Sequence, residues 1–404
     1  MTDVVPPKPA TGGVLEIFMV FLRLGVSSFG GPIAHLGYFR DEFVARRKWL
    51  DEQAFADLVA LCQFLPGPAS SQTGFSIGLM RGGYLGGLAA WTAFTLPSAI
   101  ALLLFAYGAG QLGGPIGIGL LHGLKLVAVA IVAQAVWGMA RSLCPDRERA
   151  SIATVAAVIV LISTSSVAQI GAIVIGALAG LWLCRDAPPP TAAGHINMPV
   201  SRTAGFVFLS AFAILLLAAL LLTGRTSLPG FDVFAAFYRS GALVFGGGHV
   251  VLPLLREAFV TPGWVSDDAF LAGYGAAQAV PGPVFTFAAY LGAVLKTEPN
   301  GVAGAVVGTV SIFLPGLLIL MGTLPFWDAF RMRVGAQAVM RGVNAAVVGL
   351  LGAALYNPIW TTSVKGPLDV ALALVGFVLL VAWRAPSFVV VLVGAIGGML
   401  LALL

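Results

Sequence analysis

Apolar stretches of membrane-spanning length dominate the hydropathy pattern of this 404-residue chain. A helix needs roughly 20 apolar residues to cross a ~30 Å hydrocarbon core. Stretches that approach or exceed this length cover residues 84–108, 116–141, 205–224, 301–325 and 386–404. The alternation of apolar and polar positions that is typical of barrel strands does not appear. The pattern therefore predicts an all-α, polytopic membrane protein.

The composition excludes a water-soluble class of protein. Hydrophobic residues make up 59% of the chain and charged residues 10%, against about 25% charged residues in an ordinary soluble domain. A net charge of +5 would suggest nucleic-acid binding in a soluble protein, but here it indicates basic cytoplasmic loops. We therefore expect the lipid bilayer, and no nucleic acid, as a partner.

The sequence offers no motif for a cofactor, a metal or catalysis. Cys62, Cys144 and Cys184 lack the spacing of disulfide frameworks, zinc sites or iron–sulfur clusters, which favours packing roles. Motifs for ATP binding, a nucleophile elbow or a metalloprotease are missing too. We expect no enzymatic activity, so an ion gradient or the membrane potential must drive any transport. Residues 1–13 do not resemble a signal peptide, so the first hydrophobic segment is expected to stay in the chain.

The chain repeats itself once, which predicts a duplicated fold. A Phe-Gly-Gly run, a Pro-Gly-Pro run and their flanking residues in the first half recur about 216 positions later. The matched pairs are Phe18/Phe234, Arg23/Arg239, Gly25/Gly241, Phe29/Phe245, Arg40/Arg256, Trp49/Trp264, Gln63/Gln278, Gly86/Gly304 and Pro97/Pro315. We expect one repeat over residues 1–184, a second over 231–404, and a linker with one unpaired transmembrane helix over 185–230.

Basic residues are distributed oppositely in the loops of the two halves. Residues 46–48 read Arg-Arg-Lys, whereas the corresponding residues 260–265 contain no Lys or Arg; conversely, Arg331 and Arg333 replace the uncharged residues 109–114. Because basic loops stay in the cytoplasm, this predicts inverted-topology repeats. In the favoured topology each half has two broken, re-entrant helical hairpins and four full spans, with a cytoplasmic N-terminus. The alternative makes every hairpin limb a full span, since limbs near 15 residues are ambiguous.

The Gly/Pro breaks form the predicted anion site. A break inside a membrane segment frees backbone groups that hydrocarbon cannot satisfy, so it must line protein or water. Helices that begin there would point free N–H groups and positive dipole ends inward, which suits an anion. The break residues are Gly30, Gly31, Pro32, Pro66, Gly67, Pro68, Gly246, Gly247, Pro281, Gly282 and Pro283. The alternative is that the breaks only kink helices or permit close packing.

Arg23 and Arg239 extend this predicted site. They occupy the same repeat position, and a guanidinium inside a membrane segment is costly unless it is paired. Its planar fork of donors suits a tetrahedral oxyanion. The alternatives are that each arginine snorkels to the membrane interface or pairs with a structural carboxylate, such as Glu16 for Arg23.

Polar residues next to the breaks complete the substrate site. Lys125 aligns with Asn344, so the first half would add a third cation where the second offers a neutral amide. Gln63 and Gln278 each lie three residues before a Pro-Gly-Pro run and could donate to an oxyanion. Hydrogen bonding of these glutamines to a neighbouring helix is the alternative.

Proton coupling has three candidate residues. His35 and His249 lie just beyond the Gly-Gly breaks, His249 also being a candidate substrate contact, and histidine titrates near neutral pH. Asp57 is a carboxylate within a first-half membrane segment. A packed, hydrogen-bonded histidine is the alternative for each of the two.

The duplicated Phe-Gly-Gly and Pro-Gly-Pro runs, the upstream arginine and the amphipathic residues 38–43 resemble the chromate ion transporter family, in its long-chain two-domain bacterial form. The resemblance covers about residues 14–184 and 231–404. It implies that chromate, with sulfate as a competing analogue, is exported across the bacterial cytoplasmic membrane by a chemiosmotic, proton-coupled mechanism. One departure is that residues 246–249 read Gly-Gly-Gly-His where residues 30–33 read Gly-Gly-Pro-Ile, so the two turns need not bind alike.

Two other classes of function stay open. A transporter or importer of another small inorganic anion would share every feature above. An intramembrane enzyme would need a nucleophile with its base, or metal ligands, and is the remote alternative. The sequence leaves the assembly state open, with a homodimer as one option.

Overall fold

The computed structural model describes residues 13–109, 114–163, 165–185, 199–226, 228, 230–245, 248–327 and 333–403, and these residues contain helices but no strands. The first half comprises α1 (Val14–Ser27), α2 (Gly31–Phe39), α3 (Glu52–Phe64), α4 (Ala69–Ala109), α5 (Gly114–Leu143), α6 (Arg147–Ile162) and α7 (Ser166–Leu183). After α8 (Arg202–Leu221), the second half comprises α9 (Phe231–Ala242), α10 (Val251–Phe259), α11 (Asp267–Ala277), α12 (Phe287–Ala293), α13 (Gly301–Thr323), α14 (Val334–Ala354), α15 (Pro367–Val381) and α16 (Ser387–Leu401). The predicted all-α fold class is confirmed.

Within the described ranges, five helices are long and apolar enough to cross a membrane: α4, α5, α8, α13 with its continuation to Phe326, and α14 with its continuation to Ser363. Four of them coincide with apolar stretches of the sequence. The fifth stretch, residues 386–404, instead forms the shorter helix α16. The long helix α14 lies outside the five apolar stretches, because its most apolar window is less apolar than those of the other four spans.

Short helices flank the Gly/Pro breaks. α1 has 14 residues and is therefore only ~21 Å long at about 1.5 Å per residue, which is too short for a ~30 Å hydrocarbon core. α4 breaks at Gly82 and Gly83, whose backbone angles are not helical. The break separates a short limb, residues 69–81, from a full span, residues 84–109. These lengths favour re-entrant hairpins over the topology in which every limb spans fully.

Matching ion pairs hold the two hairpins of each half together. Arg40 Nε donates to Glu52 Oε1 at 2.6 Å, and Arg256 Nε donates to Asp267 Oδ1 at 2.9 Å. Both members of one pair are the repeat counterparts of the other pair. In the first half the bond links the residue after α2 to the first residue of α3, and in the second half it links the last turn of α10 to the first residue of α11. The duplicated sequence thus gives a closely similar local structure.

The loop between the two first-half hairpins lies beside the Gly82–Gly83 break in α4. The Arg81 guanidinium lies 5.0 Å from the centroid of the Trp49 ring. Arg47 Nη1 donates to Glu16 Oε1 at 3.0 Å. The start of α1, the α2–α3 loop and the end of the first α4 limb therefore lie together. We call this the basic end, because its loop contains residues 46–48, Arg-Arg-Lys.

The corresponding second-half loop lies at the opposite end of α4. Trp264, the counterpart of Trp49, accepts a backbone hydrogen bond from Lys296 at 3.1 Å, shortly before α13. α13 begins at Gly301, where an added Cβ would lie 3.1 Å from the Tyr107 hydroxyl near the far end of α4. The α4 span after its break is roughly 39 Å long. The two loops thus lie on opposite sides of the molecule, and the predicted inverted relation of the repeats is confirmed.

Helices of the two halves pack against each other at two matched glycine-rich contacts. Small residues here let backbones approach closely, as in other membrane helix pairs. The facing residues are Gly119 and Gly123 of α5 with Gly398 and Gly394 of α16, and Ala338 and Gly342 of α14 with Gly180 and Gly176 of α7. Each contact joins one half to the other. The unpaired helix α8 packs on α9 and α13, and most of the linker before it, residues 186–198, lies outside the described residues.

Candidate functional site

Reciprocal hydrogen bonds join the Gly/Pro breaks of the two halves. Gly67 N donates to the Val244 carbonyl oxygen at 2.8 Å, and Gly282 N donates to the Ser28 carbonyl oxygen at 2.9 Å. The two donors are repeat counterparts, and so are the two acceptors. Each Pro-Gly-Pro turn therefore binds the segment that leads into the Phe-Gly-Gly run of the other half. We call this meeting point the junction.

Both central glycines adopt a backbone conformation that disfavours a side chain. The φ angle is +120° at Gly67 and +103° at Gly282, in a region that only glycine enters freely. An added Cβ at Gly67 would lie 3.0 Å from Gly316 Cα, and one at Gly282 would lie 2.9 Å from Ser98 Oγ. Conformation and close approach therefore both require glycine at the junction.

The Phe-Gly-Gly breaks are described in one half only. Gly30 and Gly31 have φ angles of +102° and +77°, and Pro32 occupies the first turn of α2. The predicted counterparts Gly246 and Gly247 lie outside the described residues. His249 follows them in a short 3-10 turn, Gly248–Val250.

The structure corrects the prediction that all of these turns aim free N–H groups at an anion. The N–H groups of Gly67 and Gly282 are bonded to carbonyl oxygens of the protein, because a tight turn buried between two halves must satisfy its own backbone. In the second half, Thr286 N and Oγ1 also bond to the Pro283 carbonyl, at 3.0 and 2.6 Å. In the first half, α4 begins directly after Pro68, and the first-turn N–H groups of a helix have no carbonyl partner within that helix.

A buried polar cluster surrounds the start of α4. His35 Nε2 lies 3.2 Å from the Ser28 carbonyl oxygen, and His35 Nδ1 lies 3.4 Å from Ser70 Oγ. Gln72 Nε2 donates to the carbonyl oxygens of Pro66 and Gly316, each at 2.9 Å. Some buried oxygens of the cluster have no partner in the described parts of the chain: Ser28 Oγ, Ser71 Oγ, Gln72 Oε1 and Thr95 Oγ1. Unpaired buried hydroxyls are costly, so the cluster suits a polar ligand that accepts hydrogen bonds.

The second half replaces most of this cluster by apolar side chains and keeps a hydroxyl group at Thr286, the counterpart of Ser71. The counterparts of Ser28, His35, Ser70, Gln72 and Thr95 are Val244, Val251, Phe285, Phe287 and Phe313. All five are buried, and the rings of Phe285 and Phe313 pack with centroids 5.6 Å apart. The backbone of the junction is symmetric, whereas its side-chain chemistry is not.

The two membrane arginines also differ. Arg23 is exposed, on the face of α1 opposite the one that packs against α4, and no hydrogen bond or ion pair of its guanidinium occurs among the described residues. Its predicted alternative partner Glu16 instead binds Arg47. Arg239 is half-buried, and its Nε donates to the Ala235 carbonyl oxygen at 3.3 Å.

Lys125 is not the free third cation that the sequence predicted. Its Nζ donates to Asp268 Oδ1 at 2.8 Å, so a carboxylate neutralises its charge. The counterpart Asn344 has an Oδ1 atom that is buried and has no partner in the described chain. Gln63 is exposed, whereas Gln278 is buried. The paired positions therefore have different environments.

The three proton-coupling candidates lie in different surroundings. His35 belongs to the polar cluster, and His249 Nδ1 lies 2.6 Å from the Tyr274 hydroxyl. Asp57 is buried; its Oδ1 accepts a hydrogen bond from Gln53 Nε2 at 3.2 Å, and its Oδ2 has no partner within the described residues.

The sequence prediction missed the hydroxyl groups of the polar cluster. The available signal was residues 69–73, which read Ala-Ser-Ser-Gln-Thr within an otherwise apolar helix. The matching residues 284–288 read Val-Phe-Thr-Phe-Ala. Comparison of the repeats position by position would have located the polar half.

Two inverted helical repeats whose broken hairpins meet at a polar junction define a multi-pass membrane transporter. Sequence comparison identifies the family: the chromate transporter family model matches residues 15–181 and 231–399, so the chain belongs to the chromate transporter family.

Curated relatives support this assignment over nearly the whole chain. A chromate transport protein of Pseudomonas aeruginosa is 28% identical, covering 98% of this chain and 93% of its own length. A chromate transport protein of Cupriavidus metallidurans is 27% identical, covering 94% and 91%. An uncharacterized transporter of Methanocaldococcus jannaschii is 27% identical, covering 83% and 82%. No solved structure matches the chain.

Proposed function

We propose that this protein exports chromate across the cytoplasmic membrane in exchange for protons. The observation that carries the proposal is the match of both repeats to the chromate transporter family, together with full-length relatives named chromate transport proteins. Chromate is a tetrahedral dianion with four oxygen acceptors, and an arginine fork, hydroxyl groups and helix N–H groups are suitable donors for it.

We place the substrate site in the first half, at the start of α4. Ser28, Ser71 and Thr95 there contribute buried hydroxyl groups that have no partner among the described residues. Arg23 adds a positive charge in the same half, on the exposed face of α1, and its guanidinium has no partner among the described residues. The polar cluster itself is buried, so chromate reaches it only when a neighbouring hairpin moves.

The distribution of basic residues supports the proposed direction of transport. The basic end of the molecule is expected in the cytoplasm, because basic loops are retained there. The exposed first-half residues Arg23 and Gln63 belong to hairpins that enter from this end. A path open to the cytoplasm fits uptake of chromate from inside the cell, the first step of export.

Asp57 is our candidate for the proton-carrying group. It is a buried carboxyl group whose Oδ2 atom has no partner among the described residues. Its counterpart Ala272 cannot carry a proton. Protonation of Asp57 would therefore couple the first half alone to the proton gradient.

Transport into everted vesicles tests the substrate and the coupling. Vesicles that contain the protein should accumulate chromate when their interior is made acidic, and an uncoupler should abolish the accumulation. Sulfate should compete. Uptake that is insensitive to the uncoupler would exclude proton coupling, and uptake of another oxyanion in place of chromate would support the alternative substrate. Vesicles without the protein are the control.

Labelling of single cysteines tests the orientation. In a variant without the native cysteines, Arg47→Cys should react with an impermeant thiol reagent only from the cytoplasmic side, and Pro262→Cys only from the other side. Labelling of Arg47→Cys from outside would reverse the proposed orientation and the direction argument.

A further inference from the structure

The third helices of the two halves, α3 and α11, pack differently. In the second half, α11 packs tightly on α5. An added Cβ at Gly275 would overlap the Leu124 carbonyl oxygen, and Asp268 receives the Lys125 hydrogen bond at 2.8 Å. Gln278, at the end of the same face, is buried. This interface closes the molecule between α5 and α11.

The matching face of α3 has no such cover. Gln53, Ala56, Ala60 and Gln63 are all exposed, and their spacing places them on one side of the helix. They are the counterparts of Asp268, Leu271, Gly275 and Gln278. Leu271, Gly275 and Gln278 are buried, whereas Asp268 is exposed, so the second half buries all but the Asp268 end of the surface that the first half exposes.

Lipid is an unsuitable neighbour for this surface. Gln63 lies three residues before the Pro-Gly-Pro break, at the inner end of a re-entrant limb. An amide facing hydrocarbon at that depth leaves its hydrogen-bonding groups unsatisfied, which costs several kcal/mol. The face therefore borders an aqueous opening or meets protein in a second state.

Internal symmetry identifies the protein surface that fits this face. The counterparts of Leu124 and Lys125 on α5 are Val343 and Asn344 on α14. Asn344 Oδ1 is buried and lacks a partner among the described residues, and Val343 is buried too, so α3 can reach this surface only when the segments that now cover it move away. Gln53, the counterpart of Asp268, carries the amide N–H groups that this oxygen can accept from. An amide pair would thus replace the ion pair of the other half.

We propose that α14 is a docking surface for α3, and that the α3–α14 and α11–α5 interfaces close alternately. When α3 docks, Gln53 meets Asn344 and Ala60 packs at Val343; when α11 docks, Asp268 meets Lys125. The inference rests on the proposed transport function, since each closure would seal the junction from one side of the membrane.

The chemistry of the two interfaces explains why the α11 side is closed here. Gly275 permits closer approach to α5 than Ala60, with its Cβ, permits to α14. A charged hydrogen bond is also stronger than one between two amides. The α3–α14 interface is therefore the weaker of the two, and the state with α3 undocked predominates without substrate.

Disulfide trapping tests the docking. In a background with Cys62, Cys144 and Cys184 replaced, Gln53→Cys with Asn344→Cys should form a cross-link when oxidant is added during chromate transport. The cross-link should block transport, and a reductant should restore it. Ala54→Cys with Asn344→Cys is the matched control, because Ala54 lies about 100° further round α3 and should cross-link severalfold less.

A second pair tests the alternation. Lys125→Cys with Asp268→Cys should cross-link most without substrate, and its yield should fall severalfold under the conditions that raise the first cross-link. Ala60→Gly should increase the α3–α14 cross-link, and Ala60→Leu should decrease it. These readouts do not depend on which oxyanion is carried.

The outcomes separate this inference from the proposed function. If chromate is transported but the Gln53–Asn344 pair never cross-links above its control, α14 is not the docking surface. If the pair cross-links but chromate is not carried, the alternation stands and the substrate is wrong. If both cross-links rise and fall together, the interfaces do not alternate, and the inference fails.

Discussion

The two halves of this transporter use one backbone arrangement for two different chemistries. In both, a Pro-Gly-Pro turn donates a hydrogen bond to the other half, and an Arg–carboxylate pair links the hairpins. Around that shared backbone the first half has Ser28, His35 and Ser70, where the second has Val244, Val251 and Phe285. Backbone geometry is constrained by the symmetric contact, whereas side chains are free to differ.

The halves also differ in exposure. Arg23 and Gln63 are exposed in the first half, whereas Arg239 is half-buried and Gln278 is buried in the second. A symmetric backbone in an asymmetric state is expected for inverted repeats that alternate between two packings. In the proposed function, this difference between the halves marks both the substrate site and the open side.

The largest effect should come from substitutions at the junction, whose backbone arrangement both halves share. Gly67→Ala and Gly282→Ala should each abolish transport and lower stability by about 1–3 kcal/mol, because alanine is strained at these φ angles. Gly67→Ala should be the more severe, since its Cβ would meet the Gly316 backbone. Transport per membrane-inserted protein and thermal unfolding in detergent measure both. Gly138→Ala, at an open helical position, is the control; normal transport by either junction variant would remove the junction from the mechanism.

The next effect separates the two arginines. Arg23→Ala should reduce chromate transport about ten- to a hundredfold at low chromate concentration, because the exposed guanidinium attracts the dianion to the first half although it lies on the face of α1 away from the polar cluster. Arg239→Ala should reduce it less, since Arg239 already bonds to the Ala235 carbonyl oxygen. Both proteins should insert normally, and initial rates over a chromate concentration series provide the comparison. Equal losses would contradict the asymmetric site.

A matched pair of hydroxyl deletions refines the comparison. Ser71→Ala should raise the apparent KM for chromate about tenfold, because a hydrogen bond to a charged group is worth roughly 1.5–3 kcal/mol. Its counterpart Thr286→Val should leave KM unchanged and cost only about 1 kcal/mol of stability, since that hydroxyl bonds to Pro283. A KM change in Thr286→Val alone would move the site to the second half.

The smallest effect on transport is expected from two cysteine substitutions that are made for labelling. Gln63→Cys should react with a water-soluble thiol reagent from the basic end, and Gln278→Cys should be protected, because only the first is exposed. Both variants should retain most of their transport. Equal reactivity of the two cysteines would mean that the halves are equally open, and the asymmetry would then belong to side chains alone.

The duplicated fold and its inversion were readable from the sequence alone. Apolar length predicted four of the five longest spans, and the Phe-Gly-Gly and Pro-Gly-Pro runs located the breaks. The opposite placement of residues 46–48 and of Arg331 and Arg333 predicted the inversion. Hydropathy, loop charge and glycine conformation are local properties, which is why one sequence reveals them.

Only the tertiary structure decided which groups of the two halves meet. The Lys125–Asp268 pair joins residues 143 positions apart, so spacing along one helix could not predict that this lysine is neutralised. The acceptors of the Gly67 and Gly282 N–H groups likewise belong to the opposite half. Long-range packing also decides that α11 packs on α5 whereas the matching face of α3 is exposed. The two helices occupy the same repeat position, so this difference depends on their partners.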